Sequence, residues 1–278
     1  MKYKVNLLTL ICCCSVFATS GQHKTMTLPK SKNNFIVIAH RGSHLVKPEN
    51  SIAAIQEAIE LGVDYVEMDL RTTRDGHLVL IHNEMVDRTT SGKGRIQDLN
   101  LDEVKRLTLI AKDGHIHKLP LFEDALRICK NRVNVYLDFK DADAVQAYRE
   151  IRAAGMEAQV LVYINTAEQY KSWRRAAPKM PLMSGLPKYI RTEGELASYL
   201  AEMPLAATDN LPYQSLLFAM RENGLSVFLD VQASEEDLVS WNTAINKGVQ
   251  GVQTDHPEAL IKYLKQNNLR RRVKVPIH

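Results

Sequence analysis

The sequence of 278 residues predicts an α/β fold, a TIM-like (β/α)8 barrel with a small insertion after the third strand. Short β-branched or apolar runs alternate with longer segments of helical periodicity, an order typical of a mainly parallel sheet. Eight such units in about 230 residues favour closure of the sheet into a barrel. No repeat of fixed period and no Pro/Gly/Ser-rich linker divides the chain, so a single domain is predicted.

Eight segments are candidate strands because they are short, apolar and bounded by turn or helix signals. They are residues 35–39, 63–70, 78–81, 133–139, 160–164, 181–184, 225–230 and 249–254. Residues 204–208 are a possible ninth strand, and the gap between Leu70 and Leu78 is too short for a crossover helix. The stretch 83–119 is irregular, with one short helix near 101–107, so we expect it to be the insertion, placed at the barrel mouth.

Helix signals lie between most of the strand candidates. Asn50 is a candidate N-cap for a helix over residues 51–61, and Gly62 is its expected end. Further helices are predicted to begin at Thr166 and at Ser234. Because ligands bind at the carboxyl ends of the strands in such folds, functional residues are expected at that edge of the sheet.

The N-terminal segment has the pattern of a signal peptide. A basic start precedes an apolar run over residues 5–17 that is too short to span a bilayer, and small residues follow it. We therefore expect a signal peptide over residues 1–20, a linker over 21–34, and export to the periplasm or the extracellular space. A membrane tether through a lipid on cysteines 12–14 is an alternative, although Ile11 is not the small residue that should precede a modified cysteine.

Composition limits the classes of function. The formal net charge is +4, and removing Lys2 and Lys4 with the signal peptide leaves +2, so no general basicity indicates a nucleic-acid partner. Only Cys129 remains beyond that segment, so no internal disulfide is expected. The barrel is predicted to span residues 35–267, and the basic end, residues 268–278, is predicted to be a solvated tail.

Ionisable residues fall at or just beyond the carboxyl ends of four strand candidates, where a barrel brings them together. His40 and Arg41 follow the first strand, and His82 ends the third. Two further strands carry pairs of ionisable residues spaced two apart, so both side chains of a pair project from one face. These pairs are Glu67 with Asp69, and Asp138 with Lys140.

The acidic pair on the second strand predicts a metal site. Glu67 and Asp69 lie in an otherwise apolar strand, where charges are rarely placed without a partner or a metal. Carboxylates that converge at a barrel mouth repel one another unless a cation neutralises them. Carboxylate oxygens are the ligands that hard divalent cations prefer, so such a cation is the expected partner.

Other polar residues have ordinary structural explanations. His115 and His117 alternate as metal ligands on a strand could, but no acidic or cysteine partner is expected near them, so an exposed hairpin of the insertion is predicted. Asp255 is expected to cap the turn before the last helix, with Pro257 at the first helical position.

Several motifs occur in order along the chain. They are H-R-G (40–42), P-E-N (48–50), E-x-D (67–69), H-N (82–83), D-R-T-T-S-G-K-G (87–94), LPLFEDAL (119–126), YLDFK (136–140) and GVQGVQTDHPEAL (248–260). In these motifs and their spacing the chain resembles the glycerophosphodiester phosphodiesterases, from about Phe35 to Leu264. The resemblance implies a barrel with a small insertion after the third strand.

The resemblance also implies a role for each site residue. The implied metal ligands are Glu67, Asp69 and Asp138, the implied acid–base pair is His40 with His82, and the implied phosphate-binding residues are Arg41, Lys140 and Glu49. The ion is expected to be Ca2+ or Mg2+, and Glu49 is expected either to orient Arg41 or to reach the metal. The implied nucleophile is the glycerol 2-hydroxyl of the substrate, which would give a cyclic phosphate that water then opens.

The chain departs from the family pattern in three places. Asp138 stands where the family usually has glutamate, and its shorter side chain bears on the affinity for the metal. Residues 229–232 replace a W-T-V-N motif, and Ile164 and Asn165 replace the usual S-F after the fifth strand. These changes leave the alcohol or glycerol moiety of the substrate open.

Three functions are consistent with this sequence. The first is hydrolysis of glycerophosphodiesters, small-molecule substrates, to glycerol 3-phosphate and an alcohol. The second is a lyase or a phosphodiesterase of the lysophospholipase-D type, which forms a cyclic phosphate or accepts lipid-derived diesters. The third is a non-enzymatic phosphoglycerol-binding protein, which the intact pair His40 and His82 argues against, because binding alone needs no proton transfer.

Overall fold

The computed structural model describes residues 26–232 and 236–273. The predicted signal peptide over residues 1–20 and the three cysteines within it lie outside the described residues. Within the part of the chain that is described, no helix is both long and apolar enough to cross a bilayer.

Among the residues that the structure describes, nine strands form one sheet, and eight of them close into a parallel barrel. They are β1 (Ile36–Ala39), β2 (Tyr65–Thr72), β3 (Leu78–Leu80), β4 (Asn134–Phe139), β5 (Val160–Tyr163), β6 (Leu182–Met183), β7 (Ala207–Thr208), β8 (Ser226–Asp230) and β9 (Gly251–Thr254). The barrel closes because β1 pairs in parallel with β2 on one side and with β9 on the other. The predicted TIM-like barrel is therefore confirmed.

The assignment of the eight barrel strands differs from the prediction. The run predicted as the third strand forms β3, which is antiparallel to β2 and lies outside the barrel. The possible ninth strand, residues 204–208, instead supplies β7, a barrel strand. The reason is geometric, because the few residues between Thr72 and Leu78 cannot form a crossover helix and therefore turn back as a hairpin.

Nine α-helices surround the barrel or lie in its connections. They are α1 (Ile52–Leu61), α2 (Leu101–Arg106), α3 (Phe122–Cys129), α4 (Ala144–Ala154), α5 (Ala167–Ala176), α6 (Glu193–Glu202), α7 (Leu217–Glu222), α8 (Leu238–Asn246) and α9 (Pro257–Gln266), counted over the described ranges. Thr166 caps α5 as predicted, and Gly62 ends α1 in the left-handed conformation. The cap of α1 is Ser51 rather than Asn50, and α8 begins after Asp237 rather than at Ser234, which lies outside the described residues.

Two apolar clusters stabilise the barrel, one outside its strands and one inside it. A large cluster packs the outer faces of the strands against the helices and includes Trp173 and Trp241, both buried. A smaller cluster fills the barrel interior, where aromatic residues such as Tyr65 and Phe228 contact each other. Because side chains alternate along each strand, this packing leaves the polar residues near the strand ends facing the barrel mouth.

The insertion has a small core of its own. Its apolar side chains pack with those of β3, and the cluster consists of Val79, Ile81, Val86, Ile96, Val104, Leu109 and Leu119. Asp113 ties the insertion to the loop after β1 through Lys47, with 2.9 Å between Nζ and Oδ2. The Nε2 atom of His117 also lies 2.9 Å from Asp113 Oδ2, so His117 does have an acidic partner, contrary to the prediction, while His115 is exposed as expected.

One arginine of the predicted solvated tail is part of the folded barrel. The guanidinium of Arg270 is buried and donates to Asp64 Oδ2 at 2.7 Å and to the carbonyl of Gly62 at 2.8 Å. Asp64 also accepts hydrogen bonds from Ser31 and Asn33, so the two ends of the described chain meet at one carboxylate. The prediction of full solvation is wrong for Arg270 because Asp64, buried at the amino end of β2, requires a cation.

Replacing Arg270 with alanine should destabilise the protein by about 3–5 kcal/mol, because it leaves the buried carboxylate of Asp64 without its cation. Urea denaturation followed by circular dichroism measures this change. Arg271→Ala is the matched control, because that side chain is exposed and should have little effect. Equal stabilities of the two variants would contradict the prediction.

Candidate active site

A cavity of about 260 Å3 lies at the carboxyl ends of the barrel strands. Six of the predicted site residues line it together: His40, Arg41, Glu67, Asp69, His82 and Asp138. Lys140 and Glu49 complete the set by contacting Asp69 and Arg41, respectively. A larger cavity of about 930 Å3 lies at the opposite end of the barrel around Asp64, with no histidine among its described lining residues.

Three carboxylates converge at the centre of this cavity. Glu67 and Asp69 project from β2, and Asp138 lies beside Asp69 in the register of β2 and β4. One oxygen of each of the three lies within 4.8 Å of the others. Glu67 and Asp69 are only 2% and 1% exposed, so these charges are removed from water. Burial, with the charges of Asp69 and Asp138, raises the pKa of Glu67 well above its ordinary range.

The donor set fits a hard divalent cation. Three carboxylate oxygens from two neighbouring strands match the ligand type and charge that Ca2+ and Mg2+ require. The ammonium of Lys140 lies 3.1 Å from Asp69 Oδ1 and also contacts Asp138, so one positive charge already faces the cluster. Burial lowers the pKa of Lys140, but the two aspartates outweigh it and raise the pKa overall. Lys140 and the nearby guanidinium of Arg41 together carry two positive charges against three carboxylates, which leaves the cluster short of positive charge.

Asn50 holds the central carboxylate in place. Its Nδ2 donates to Asp69 Oδ2 at 2.7 Å, and its Oδ1 accepts from the backbone N–H of Asp69 at 3.0 Å. The residue is buried and has a φ of 55°, a left-handed conformation that asparagine tolerates better than most residues. The prediction of Asn50 as a helix cap is therefore wrong. Its place in the P-E-N motif was the available signal.

Replacing Asn50 with aspartate should lower both stability and metal affinity. The change replaces the amide nitrogen that donates to Asp69 with an oxygen, so a buried hydrogen bond is lost. This loss should lower the free energy of unfolding by about 1–3 kcal/mol. A hydrogen bond that orients a metal ligand typically contributes roughly 10–100-fold to metal affinity. Thermal denaturation and calorimetric titration with Ca2+ measure the two effects.

The matched control for this variant is Asn268→Asp, since Asn268 has a similar φ of 56° but is exposed. The control should leave both the stability and the Ca2+ affinity unchanged. If Asn50→Asp binds Ca2+ as tightly as the wild type, the positioning role of Asn50 is wrong.

Arg41 is held by acidic residues from two directions. Its Nη1 donates to Glu49 Oε1 at 3.0 Å, and its Nε lies 3.4 Å from Asp69 Oδ2. Glu49 is shared with Arg88 of the insertion, at 2.6 Å. Burial alone raises the pKa of Glu49, but the two guanidinium groups outweigh it and lower the pKa overall. Glu49 thus contacts Arg41, one of its two expected roles, and Arg88 is a contact that sequence reasoning missed.

Gly42 allows the turn after β1 to pack closely. Its φ is 81°, and a Cβ atom there would lie 2.7 Å from the backbone carbonyl carbon of Ala54 in α1. The backbone N–H of Arg41 donates to Glu67 Oε2 at 2.7 Å in the same turn. The H-R-G motif therefore brings β1 and α1 together around the carboxylate cluster.

His40 is oriented by Asp255. Its Nδ1 lies 2.6 Å from Asp255 Oδ1, across 215 residues of sequence. Burial alone raises the pKa of Asp255, but the hydrogen bond to His40 and the nearby positive groups outweigh burial and lower the pKa overall. Asp255 is therefore a carboxylate, and it accepts the hydrogen bond from His40 Nδ1–H. Nε2 is then the nitrogen of His40 that is free for proton transfer. The prediction of Asp255 as a cap is wrong, since His256 precedes α9, although Pro257 does begin the helix.

His40 also belongs to a second group of possible metal ligands. His40, His44 and Asp255 each offer one ligand atom within 4.8 Å of the others, and His44 Nε2 lies 3.6 Å from Asp255. Two imidazoles with one carboxylate suit zinc better than calcium or magnesium. The three-carboxylate cluster is therefore the candidate site for a hard cation.

His82 has a defined tautomer. Its Nδ1 lies 2.7 Å from Asn83 Oδ1, which also accepts from Arg88 at 3.3 Å and is therefore the amide oxygen. Nδ1 must then carry the hydrogen, so Nε2 of neutral His82 has a free lone pair. Burial lowers the pKa of His82 below its ordinary value, although Asp69 acts in the opposite direction. His82 is thus neutral at pH 7 and able to accept a proton.

One wall of the cavity consists of five polar residues that were not predicted to take part in the site. It is formed by Tyr163, Asp209, Asp230, Gln232 and Gln253, and we refer to these five residues as the acceptor wall. Asn165 lies beside it and donates to Asp138 Oδ1 at 3.2 Å. Asn165, Asp230 and Gln232 are positions that depart from the family pattern, so the departures do line the cavity.

A model of the glycerophosphoryl diester phosphodiesterase family matches residues 40–259. The chain belongs to this family. It is 29% identical over 246 residues to the glycerophosphodiester phosphodiesterase of Caldanaerobacter subterraneus subsp. tengcongensis, covering 83% of this chain and 98% of that protein. It is 25% identical over 270 residues to the glycerophosphodiester phosphodiesterase of Bacillus subtilis, covering 84% of this chain and 88% of that protein.

Solved structures of glycerophosphodiester phosphodiesterases share the fold. The enzyme from Agrobacterium tumefaciens superposes with a TM-score of 0.72 at 23% identity, covering 82% of this chain and 99% of that one. A phosphodiesterase from Oleispira antarctica superposes with a TM-score of 0.68 at 22% identity, covering 83% of this chain and 96% of that one. The resemblance inferred from the motifs is thus confirmed, and with it the barrel.

Proposed function

We propose that this chain is a metal-dependent phosphodiesterase that hydrolyses glycerophosphodiesters to glycerol 3-phosphate and an alcohol. The observation that carries the proposal is the meeting of one carboxylate cluster and two oriented histidines in a single cavity. The Oleispira antarctica relative, a phosphodiesterase, is in complex with the product sn-glycerol-3-phosphate. The volume of about 260 Å3 favours a small deacylated diester, because pockets for drug-sized ligands measure about 300–1,000 Å3.

In the proposed mechanism, positive charge binds the phosphodiester. A divalent cation, Ca2+ or Mg2+, would be held by Glu67, Asp69 and Asp138 and would supply charge to the phosphate oxygens when bound. Arg41 offers a guanidinium for bidentate contact with the phosphate, and Lys140 offers a point charge. Glu49 and Asp69 fix the guanidinium of Arg41, so little entropy is lost when the phosphate binds.

The two histidines divide the proton transfer. His82 is neutral at pH 7, and its free Nε2 accepts the proton of the nucleophile, which the family resemblance assigns to the substrate's glycerol 2-hydroxyl. His40, whose Nδ1–H is held by Asp255, would act in its doubly protonated form and donate the Nε2 proton to the departing alkoxide. In hydrolysis of the cyclic phosphate the proton transfers run in the opposite direction, and water is the nucleophile.

The lyase alternative is favoured by one observation. Asn165, Asp230 and Gln232 replace the family residues at the cavity wall, so the step in which water opens the cyclic phosphate has altered surroundings. Phosphorus NMR of the product separates the two functions. A cyclic glycerophosphate that persists after the substrate is consumed would show the lyase, and glycerol 3-phosphate would support hydrolysis.

A substrate panel tests the proposed function. The purified protein is treated with EDTA and assayed for release of glycerol 3-phosphate from glycerophosphodiesters and of lysophosphatidate from lysophospholipids, before and after Ca2+, Mg2+ or Zn2+ is added back. We expect no activity after EDTA and recovery with Ca2+ or Mg2+. Release from lysophospholipids alone would favour the lipid-derived substrate. Binding of glycerol 3-phosphate without turnover of any diester would indicate the non-enzymatic alternative.

We also propose that the protein is exported. The support is the basic start and short apolar run within residues 1–20, followed by small residues. Fractionation of cells that express the full chain, with sequencing of the mature N-terminus, tests this. Cleavage near residue 20 is expected, and a lipid on one of cysteines 12–14 would favour the tethered form instead.

A further inference from the structure

The acceptor wall contains buried oxygens that lack hydrogen-bond donors. Asp209 Oδ1, Gln232 Oε1 and Gln253 Oε1 are buried with no hydrogen-bond partner among residues 26–232 and 236–273. Gln253 is only 5% exposed, yet it lines the cavity. All three atoms are acceptors, so this side of the cavity is specifically short of donors.

The neighbouring contacts hold these acceptors in position. Tyr163 donates its hydroxyl to Asp209 Oδ2 at 2.8 Å, and its ring stacks on that of Tyr136 with centroids 5.8 Å apart. Gln253 donates its Nε2 to Asp230 Oδ1 at 3.2 Å, which leaves its own oxygen unpaired. Gly185 leaves space beside Asp209, because a Cβ atom there would lie 3.1 Å from Oδ1. The wall is therefore a built arrangement of acceptors.

The net charge of the cavity also favours a positively charged ligand at this wall. Five carboxylates line it: Glu67, Asp69, Asp138, Asp209 and Asp230. A divalent cation, Arg41 and Lys140 together offset four of these charges, and the phosphodiester adds another negative charge. Partial burial and the neighbouring carboxylates raise the pKa of Asp230 to about 7, and burial also raises that of Asp209. A raised pKa means that the ionised carboxylate is disfavoured, so a positive group beside Asp209 and Asp230 would stabilise their ionised form.

A second metal ion does not match this wall. Over the described ranges, two groups place three ligand atoms within 4.8 Å of each other, and neither includes Asp209 or Asp230. The acceptors are instead spread over four strands or their ends, β5, β7, β8 and β9, as suits an organic cation with several donors. Asp230 is accessible at the cavity mouth, so a group of the substrate can reach it.

We propose that the acceptor wall binds an alcohol moiety that carries a protonated amine, so the preferred substrates are glycerophosphodiesters of amino alcohols. This inference rests on the proposed function and extends it to the choice of substrate. A primary ammonium supplies both the charge and the N–H donors that the wall needs. A neutral alcohol of the same size supplies neither, and a quaternary ammonium supplies charge without N–H.

A matched set of four diesters tests the proposal. The set is glycerophosphoethanolamine, its neutral isostere glycerophosphopropanol, glycerophosphocholine and glycerophosphoglycerol. We expect kcat/KM to be at least about tenfold higher for the ethanolamine diester than for each of the other three, because a buried charge-assisted hydrogen bond contributes at least one factor of ten. This comparison uses the wild-type protein and does not depend on how a variant folds.

Asp209→Asn and Asp230→Asn test which residues cause the preference. Each should raise KM for the ethanolamine diester about tenfold or more, with little change in kcat, and should leave the propanol diester nearly unaffected. Asp124→Asn on α3 is the matched control, because this half-exposed residue lies outside the cavity. The control should retain the wild-type preference.

Three results would overturn the inference while leaving the proposed function intact. They are equal kcat/KM for the ethanolamine and propanol diesters, equal or faster turnover of the choline diester, and a preference for glycerophosphoglycerol, whose hydroxyls are neutral donors. Binding of two Ca2+ ions by the wild type and one by Asp230→Asn, measured by calorimetry, would also overturn it. If no diester of the set is cleaved, the proposed function itself is wrong.

Discussion

Replacing Glu67 with glutamine should lower kcat/KM for any glycerophosphodiester by about a thousandfold or more. Glutamine keeps the shape and can still accept the N–H of Arg41, but it removes one of three charges that hold the cation. Lewis-acid stabilisation by a metal is worth several kcal/mol, and each 1.36 kcal/mol is about a factor of ten in rate. Steady-state assays with saturating Ca2+ or Mg2+ measure this loss.

The same variant has a readout that does not require activity. Burial and the neighbouring carboxylates raise the pKa of Glu67, so the metal-free folded protein binds more protons than the unfolded chain above the ordinary value of 4.5. The stability of the metal-free wild type should therefore fall as the pH rises through the raised pKa. Glu67→Gln removes this loss, so the metal-free variant should be the more stable protein at pH 7.

Added metal should reverse the order of stability. Ca2+ or Mg2+ should raise the melting temperature of the wild type and have little effect on that of Glu67→Gln, because binding to the folded state alone stabilises it. Glu150→Gln on α4 is the matched control, since burial also raises the pKa of Glu150 but the residue lies outside the cavity. A Glu67→Gln enzyme within about tenfold of wild-type kcat/KM would contradict the assignment of Glu67 as a ligand.

Replacing His82 with glutamine should lower kcat/KM by about 10²–10⁴-fold, the usual contribution of a general base. Glutamine can hydrogen-bond but cannot accept a proton at neutral pH. Burial lowers the pKa of His82 below its ordinary value of 6.5, so the base is neutral, and therefore active, down to a pH below 6.5. The wild-type rate should fall only when the pH drops through that lowered pKa.

The pH profile separates a catalytic base from a merely structural histidine. In His82→Gln the acidic fall in kcat/KM that belongs to His82 should be absent, while the remaining rate stays low at every pH. His115→Gln is the control, because His115 is exposed in the insertion and should leave both rate and profile unchanged. An unchanged profile in His82→Gln would show that another group accepts the proton.

The sequence predicted the barrel well because alternation of apolar strands and amphipathic helices is a local pattern. It did not predict which eight strands close the barrel. The direction of β3 depends on the length of its connection to β2, whereas the apolar run alone is compatible with either direction. β7 has two residues, too few for any periodicity, so the run 204–208 was predicted only as a possible strand, and its place in the barrel follows from its pairing with β6 and β8.

The site was predictable to the extent that its residues lie at strand ends. Glu67, Asp69 and Asp138 meet in the cavity because strand register fixes their positions. Their partners come from loops, where contacts depend on backbone conformation and on distant segments. Asn50 reaches Asp69 only in a left-handed conformation, and Asp255 reaches His40 across 215 residues of sequence. Spacing along the chain carries no information about such contacts.

The ion pair between Asp64 and Arg270 sets an order of events during biosynthesis. Asp64 belongs to the first quarter of the chain, whereas its guanidinium partner is among the last ten residues. β1 also remains without its β9 neighbour until residues 251–254 have been made. A growing chain therefore cannot close the barrel until residues 251–254 have been made, and cannot bury Asp64 favourably until Arg270 has been made. Products that end before these residues should stay open and available to proteases.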